Sequence, residues 1–357
     1  MRAIQMVRPE AGAVSYTEDA PVPTPGPGEV LVKVAQTAIC GTDRHIYHWD
    51  DSISHLVKPP TIIGHEFCGH IAEIGADVVG WHASEYVSAE MHIVCGKCRA
   101  CLRGDFHICE HTSIAGLQRP GCFAEWVVVP ASNLVRLDPE VVPTHIGAML
   151  DALGNAVHTV QAAQGIAGRH VLVSGNGAIG AMAAAVVQFQ GAASLTISEV
   201  APGHLQRARK WAAGLDSETP IHILDPTSDG NFPEQVRDLT GGGVDVVLEM
   251  SGAVPAINVG LDVLYPGGEM ILLGIPNCRD LMVQAFTERV IFKGLRLQGV
   301  LGRRMFSTWD LMLELLAQGL NLDHIVTHQL PLSQFEHGIQ LLDRCEAHKV
   351  VLNPQDS

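Results

Sequence analysis

Cys40, His65 and Glu66 bring a thiol, an imidazole and a carboxylate into the first part of the chain. A catalytic zinc takes three protein ligands of these types and keeps one position open for substrate. A cysteine followed some way on by a histidine is a weak signal alone, because a buried thiol and a core histidine account for most such pairs. Two further motifs strengthen it. In CGKCRACLRGDFHIC, Cys95, Cys98, Cys101 and Cys109 share one short loop. Four thiolates so spaced close a tetrahedron around zinc with no open position, as a structural site requires. The rival readings are a disulfide pair and an iron–sulfur cluster, whose quoted spacings differ.

The second motif is RHVLVSGNGAIGAMAAAVVQFQGA, a β-branched run, then Gly175, Gly177 and Gly180, then an apolar helix. Glycines at these positions permit a tight turn and let the backbone approach a pyrophosphate at the helix N-terminus, with Ile179 beside it. The next strand, SLTISEV, ends near Glu199. A carboxylate there accepts from a free ribose 2′-hydroxyl and repels a 2′-phosphate, so NAD is expected rather than NADP. Arg207, Arg209 and Lys210 lie further along the following helix and read as a solvated face.

These motifs must be positioned by more than one domain, since 357 residues exceed what a single hydrophobic core supports. Lys and Arg total 23 against 38 Asp and Glu, a net charge of −15. No basic cluster is present to meet phosphates or lipid headgroups, so nucleic acid and membrane partners are not expected. The apolar run from Ala178 to Leu195 contains Gln188 and Gln190 and reads as a buried helix. The N-terminus reads as a first strand, not a signal peptide, and nine cysteines then point to metal ligation or free thiols in a reducing cytoplasm. Cys68, Cys122, Cys278 and Cys345 are scattered singly and are expected to be small buried hydrophobes.

Along the chain, VLVKV, TIIGHEF, HIAEIG and FAEWVVVP alternate with a period of two, and PVPTPGPGE forbids helix. A small, irregular β-barrel is expected over residues 1–156, with the ligands at strand ends or in loops. From 157 to 301, strand and helix alternate through IHILD, FPEQVRDLTGG, VDVVLEMSG, AINVGLDVLY, EMILLGI and LRLQGVLG. That pattern predicts a doubly wound parallel sheet of the Rossmann type, with a fold class of α/β overall. Residues 302–357 do not extend that sheet and are expected to return to the first domain.

With Cys40, the Gly-His-Glu, the four-cysteine loop and the GxGxxG in this order, the whole chain resembles the zinc-containing medium-chain dehydrogenases. CGTDRHIYHWD, GHEF, RPGCFAEW, LGNAVHT, LEMSGA and VIFKGL with GRRMFSTW are similar to one branch, the bacterial and archaeal L-threonine 3-dehydrogenases. The resemblance implies a GroES-like catalytic barrel, a Rossmann domain, NAD, two zincs per subunit and a homo-oligomer, a tetramer more than a dimer. It implies that Thr42 and His45 relay the proton of a small alcohol substrate. It also implies that His204 and the strand-end residues Leu273, Gly274, Ile275, Val300 and Leu301 face the cofactor. The chain departs from that branch at Ser84-Glu85-Tyr86, Ala152, His204, Leu301 and Arg304, the last three on the cofactor or substrate side.

In the family's simple alcohol dehydrogenases, a second zinc-binding cysteine precedes the nucleotide domain. Here Asp151 begins the corresponding stretch DALGNAVH, and no cysteine lies between Cys122 and Cys278. Asp151 is therefore a candidate to ligate or support the metal, with a helix N-cap as its alternative. The expected reaction is oxidation of a secondary alcohol, threonine first and a polyol or 2,3-diol second. A non-catalytic NAD-responsive zinc protein is the distant alternative. A zwitterionic substrate needs charged partners, for which Glu90, His92 and Arg303 are the candidates.

Overall fold

The computed structural model describes every residue except Ser52, Asp229, Asn277, Arg279 and Ser357. The chain divides into two compact units. The first comprises Met1–Ala152, Arg304–Ala317 and Val326–Ser357, and the second Leu153–Arg303 and Gln318–Ile325.

The first unit is built on the strand Glu29–Ala38, where Val30, Val32 and Val34 are buried and Lys33 is exposed. Leu31 is buried as well, so both faces are covered over this stretch except at Lys33. The strand pairs antiparallel with Phe67–Ile74, with Trp126–Pro130 and with the last strand, Lys349–Asn353. The full sheet has seven strands. The helix Phe335–Asp343 lays Phe335, Ile339 and Leu342 onto the same core, spaced as one helical face requires.

The Gly-His-Glu segment lies between the strands Thr61–Ile62 and Phe67–Ile74. Gly64 adopts a φ of 91°, and a Cβ there would fall 2.3 Å from the Phe123 ring. Cys122 donates its N–H to the Gly64 carbonyl at 3.0 Å and Phe123 to that of Ile63 at 2.9 Å. The RPGCFAEW segment thus buttresses the turn that presents His65 and Glu66.

The second unit is a six-stranded parallel sheet in the order Ile221–Leu224, Ser194–Ser198, His170–Ser174, Val244–Glu249, Leu264–Leu272, Arg296–Gly299. The order reverses between His170–Ser174 and Val244–Glu249, and open α/β sheets bind ligands beyond the strand ends at such a switch. The helix Ala178–Phe189 buries every residue from Gly180 to Val187, in keeping with its nearly all-apolar sequence. No helix among the described residues is long and apolar enough to cross a membrane.

Three expectations are amended. The division between units falls between Ala152 and Leu153, a few residues before the expected one and in the same helix Leu150–Ala162, and residues 318–325 group with the nucleotide unit, where His324 stacks on Trp211 at 5.2 Å. Cys68 and Cys122 are buried, but Cys278 is exposed and Cys345 only half-buried. Both sit in connections, Cys278 after the strand Leu264–Leu272 and Cys345 at a positive φ beyond the last helix, where there is no core to enter.

Gly64→Ala should destabilise the protein by about 2–5 kcal/mol, backbone strain and overpacking acting together. Gly80→Ala, also at positive φ but facing open space, should cost only the strain. Urea denaturation of the two variants checks this; equal midpoints would contradict it.

Candidate active site

One ligand atom each from Cys40, His65 and Glu66 lies within 4.8 Å of the others. Cys40 immediately precedes the helix Gly41–Tyr47 and donates its N–H to Asp43 Oδ2 at 2.8 Å. Asp43 is fully buried, and its other oxygen stands 3.7 Å from His65 Nδ1. Neither of those two atoms has a hydrogen-bond partner. Burial pushes Asp43 up to about 6, against the opposing pull of His65 and the Cys40 N–H. Burial would lower His65, yet Asp43, Cys40 and Asp151 together hold it well above the usual imidazole range. The pocket is thus strongly negative, and its donor set fits a divalent cation such as zinc.

Glu66 is 0% exposed. Its two oxygens accept from Lys349 Nζ at 2.9 and 2.7 Å. Neither Asp43 nor Lys349 stands out in the sequence. Asp43 follows Cys40 as a helix-start acid would, and a lysine opening a strand ordinarily faces water.

Asp151 is buried at the second residue of the helix Leu150–Ala162, so it is not the helix cap. The structure gathers it with Glu90 and His92, again within 4.8 Å. Glu90 Oε1 accepts from the backbone N–H of His92 at 3.0 Å and from its Nδ1 at 2.9 Å. Glu90 Oε2 accepts from Trp309 Nε1 at 3.0 Å, and Asn133 Nδ2 donates to the Glu90 carbonyl at 2.6 Å. Because a carboxylate can only accept, His92 Nδ1 is the donor in that contact. Arg303 belongs to the other unit, buried with its Cδ against Gly154.

Thr42 and His45 lie three apart on the short helix Gly41–Tyr47 and so share a face. His45 is exposed, and its Nδ1 donates to Asp50 Oδ2 at 2.9 Å. That bond leaves Nε2 as the acceptor on a water-facing ring.

The four cysteines approach one another at 3.5 Å for Cys98–Cys101, 3.8 Å for Cys98–Cys109, 3.6 Å for Cys109–Cys95 and 4.0 Å for Cys95–Cys101. Zinc–sulfur bonds of 2.3 Å imply sulfurs about 3.8 Å apart in a tetrahedron. The separations exclude a disulfide and fit a closed zinc site. N–H groups of Cys98, Cys95 and His111 point at sulfurs, at 3.3, 3.4 and 3.4 Å. Hydrogen bonds from the Cys101 and Glu110 backbones lower Cys98 to about 6, whereas burial lifts Cys101 to about 12.

In the second unit the three glycines do separate work. Gly175 turns at a φ of 95°, a Cβ on Gly180 would fall 2.0 Å from the Gly175 carbonyl, and a Cβ on Gly177 would meet nothing within 4 Å. That open space lies at the start of the helix Ala178–Phe189, with Ile179 half-buried in its first turn, and a helix N-terminus with such room can accommodate a phosphate. Glu199 accepts from the N–H groups of Asn176, Val200 and Ala201 at 2.7, 2.7 and 2.8 Å, with His204 Nδ1 at 3.5 Å. Burial would raise Glu199, but these donors outweigh it and hold the carboxylate down at about 2. Leu273 and Gly274 donate to the Glu249 carbonyl at 3.0 and 3.1 Å, and Val300 to that of Leu272 at 2.9 Å. Ile275 and Leu301 are exposed beside them. All these residues lie at the carboxyl ends of the parallel strands.

Residues 26–139 match the alcohol dehydrogenase GroES-like domain and 178–318 the zinc-binding dehydrogenase family. The chain is 40% identical to an L-threonine 3-dehydrogenase of Xanthomonas euvesicatoria over 98% of each chain. It is also 40% identical to one of Proteus mirabilis, over 99% of this chain and all of that one. The chain belongs to the zinc-binding alcohol dehydrogenases. It is an oxidoreductase whose cofactors are zinc and a nicotinamide dinucleotide. Among solved structures, a zinc-binding dehydrogenase of Sinorhizobium meliloti 1021 bound to NADP superposes with a TM-score of 0.87 at 27% identity, over 99% of both chains.

Fresh protein should carry two zincs of unequal lability, one in a closed four-sulfur site and one in an open site. Chelation should abolish activity before it unfolds the chain, and Cys98→Ser should lower the melting temperature. Metal analysis finding fewer than two zincs, or an unmoved melting temperature, would contradict this.

Proposed function

We propose that the chain oxidises the secondary alcohol of L-threonine to 2-amino-3-oxobutanoate, with NAD as hydride acceptor. The observation that carries the reading is full-length similarity to L-threonine 3-dehydrogenases at 40% identity, together with a buried acid, Glu90, grouped with Asp151, whose charge acts on His65. On this reading Cys40, His65 and Glu66 hold the catalytic zinc, and the four cysteines hold a structural one. Zinc would supply a Lewis acid to stabilise negative charge developing on the substrate oxygen. Thr42 and His45 carry the hydroxyl proton to water, His45 Nε2 accepting it while Asp50 fixes the ring. The Glu90–His92 pair, anchored by Trp309, offers negative charge to the α-ammonium, and Asp151 supports the metal site. A polyol or 2,3-diol is the second reading: both Glu90 oxygens are already engaged, and an uncharged diol makes no demand on them.

Glu199 is held rigidly at the end of its strand, which favours a free ribose hydroxyl over a 2′-phosphate. We further read the chain as a homo-oligomer, a tetramer before a dimer. Arg296–Gly299 is the exposed edge of the parallel sheet, and edge strands invite pairing with another chain. Ile291, Phe292 and Leu297 are exposed near it. Nine cysteines, five of them assigned here to zinc, suit a reducing cytoplasm.

Purified protein assayed with NAD or NADP against threonine, sorbitol, xylitol, 2,3-butanediol and ethanol should show the highest kcat/KM with threonine and NAD. A higher kcat/KM with sorbitol or xylitol would overturn the threonine assignment. Glu199→Ala should narrow the preference for NAD; equal use of both cofactors by the unaltered enzyme would refute its role. Because a histidine must be neutral to accept a proton, kcat/KM should rise with pH and then level off. His45→Asn should flatten that limb and slow oxidation by roughly 10²–10⁴-fold with NAD affinity intact. An unchanged pH profile in that variant would remove His45 from the relay.

A further inference from the structure

Lys349 is 2% exposed, a rare position for lysine. Its ammonium has three protons and meets three acceptors: Glu66 Oε1 at 2.9 Å, Glu66 Oε2 at 2.7 Å and the Ile39 carbonyl at 3.1 Å. Ile39 immediately precedes Cys40, so the lysine touches the chain on both sides of the ligand set. It reaches there because its strand pairs with Glu29–Ala38, through Val351 opposite Ala38.

We infer that Lys349 is a positioning residue that competes with zinc for the Glu66 carboxylate and thereby keeps the catalytic metal labile. The inference rests on the reading that Cys40, His65 and Glu66 bind zinc.

A carboxylate excluded from water must be compensated by a cation, and Lys349 already does this for Glu66. Zinc binding must therefore draw one carboxylate oxygen partly away from the lysine, and the shared charge makes Glu66 the weakest donor of the three. Removing the ammonium has two opposed effects. Glu66 loses an anchor, which would weaken zinc binding, and it loses its counter-charge, which would strengthen it. The second effect is the larger, because Glu66 stays packed at 0% exposure while Asp43, Asp151 and Cys40 add negative charge to the same pocket. With the ammonium gone, zinc becomes the compensating cation. Burial would lower the Lys349 pKa, but Glu66, Cys40 and Asp43 raise it, in keeping with an ammonium that stays charged.

The test is equilibrium competition for zinc between the full-length, zinc-loaded protein and a chromophoric chelator, with zinc released per chain as the readout. His65→Ala identifies the labile zinc. Lys349→Met and Lys349→Gln should each retain that zinc against roughly tenfold or more chelator than the unaltered protein. Lys349→Arg, which keeps the charge, should release it as the unaltered protein does. Should Lys349→Met fail to fold, the Gln and Arg variants decide the matter. Equal or weaker retention in the uncharged variants overturns the role of Lys349 while leaving the zinc site standing. If His65→Ala holds as many zincs as the unaltered protein, the zinc assignment itself fails, and this inference with it.

Discussion

Negative charge buried away from water is the constraint on which the first unit is organised. Glu66 and Asp43 are fully buried, Asp151 nearly so, and the Cys40 thiol stands among them. Such a set persists only if cations offset it, since an unpaired buried carboxylate costs several kcal/mol. Lys349 supplies one positive charge from the end of the chain. Asp43, Cys40 and Asp151 hold His65 well above the usual imidazole range, against the lowering effect of burial. A divalent cation is what such a pocket accommodates best. The turn at Gly64, braced by Phe123, and the return of the last strand beside Glu29–Ala38 are what hold the charges in place.

The second unit follows a different logic, in which backbone dipoles replace charged side chains. Gly177 leaves open space before a helix N-terminus, and Glu199 is fixed by three N–H groups so that its charge is localised. On the proposed reading, cofactor choice rests there on that one carboxylate.

The fold was legible in the sequence where periodicity is local. HVLVS followed by the glycines and an all-apolar helix admits few readings, and the four-cysteine loop carries its geometry in its spacing. Cys40, His65 and Glu66, whose ligand atoms lie within 4.8 Å of one another, were legible as candidates because their chemical types are rare in combination. Lys349, 283 residues from Glu66, and Trp309, 219 residues from Glu90, were not. Their roles depend on which distant strands and helices return to the first unit, and no local pattern encodes that. Cys278 and Cys345 show the converse limit, since residue type alone suggests burial while their connections keep them near water. Asp151 is the intermediate case, grouped with Glu90 and His92 and placed inside its helix, not at its cap.

The central claim is that one zinc sits among four sulfurs and the other beside a single sulfur, from Cys40, with nitrogen and oxygen completing it. X-ray absorption at the zinc edge measures this directly on the two-zinc protein. Four cysteines in one site and one in the other place five sulfurs around two metals, and the averaged spectrum should show two to three sulfurs per zinc at about 2.3 Å, with nitrogen or oxygen near 2.0–2.2 Å. A sulfur count near four, or a site without the lighter ligands, would contradict the account.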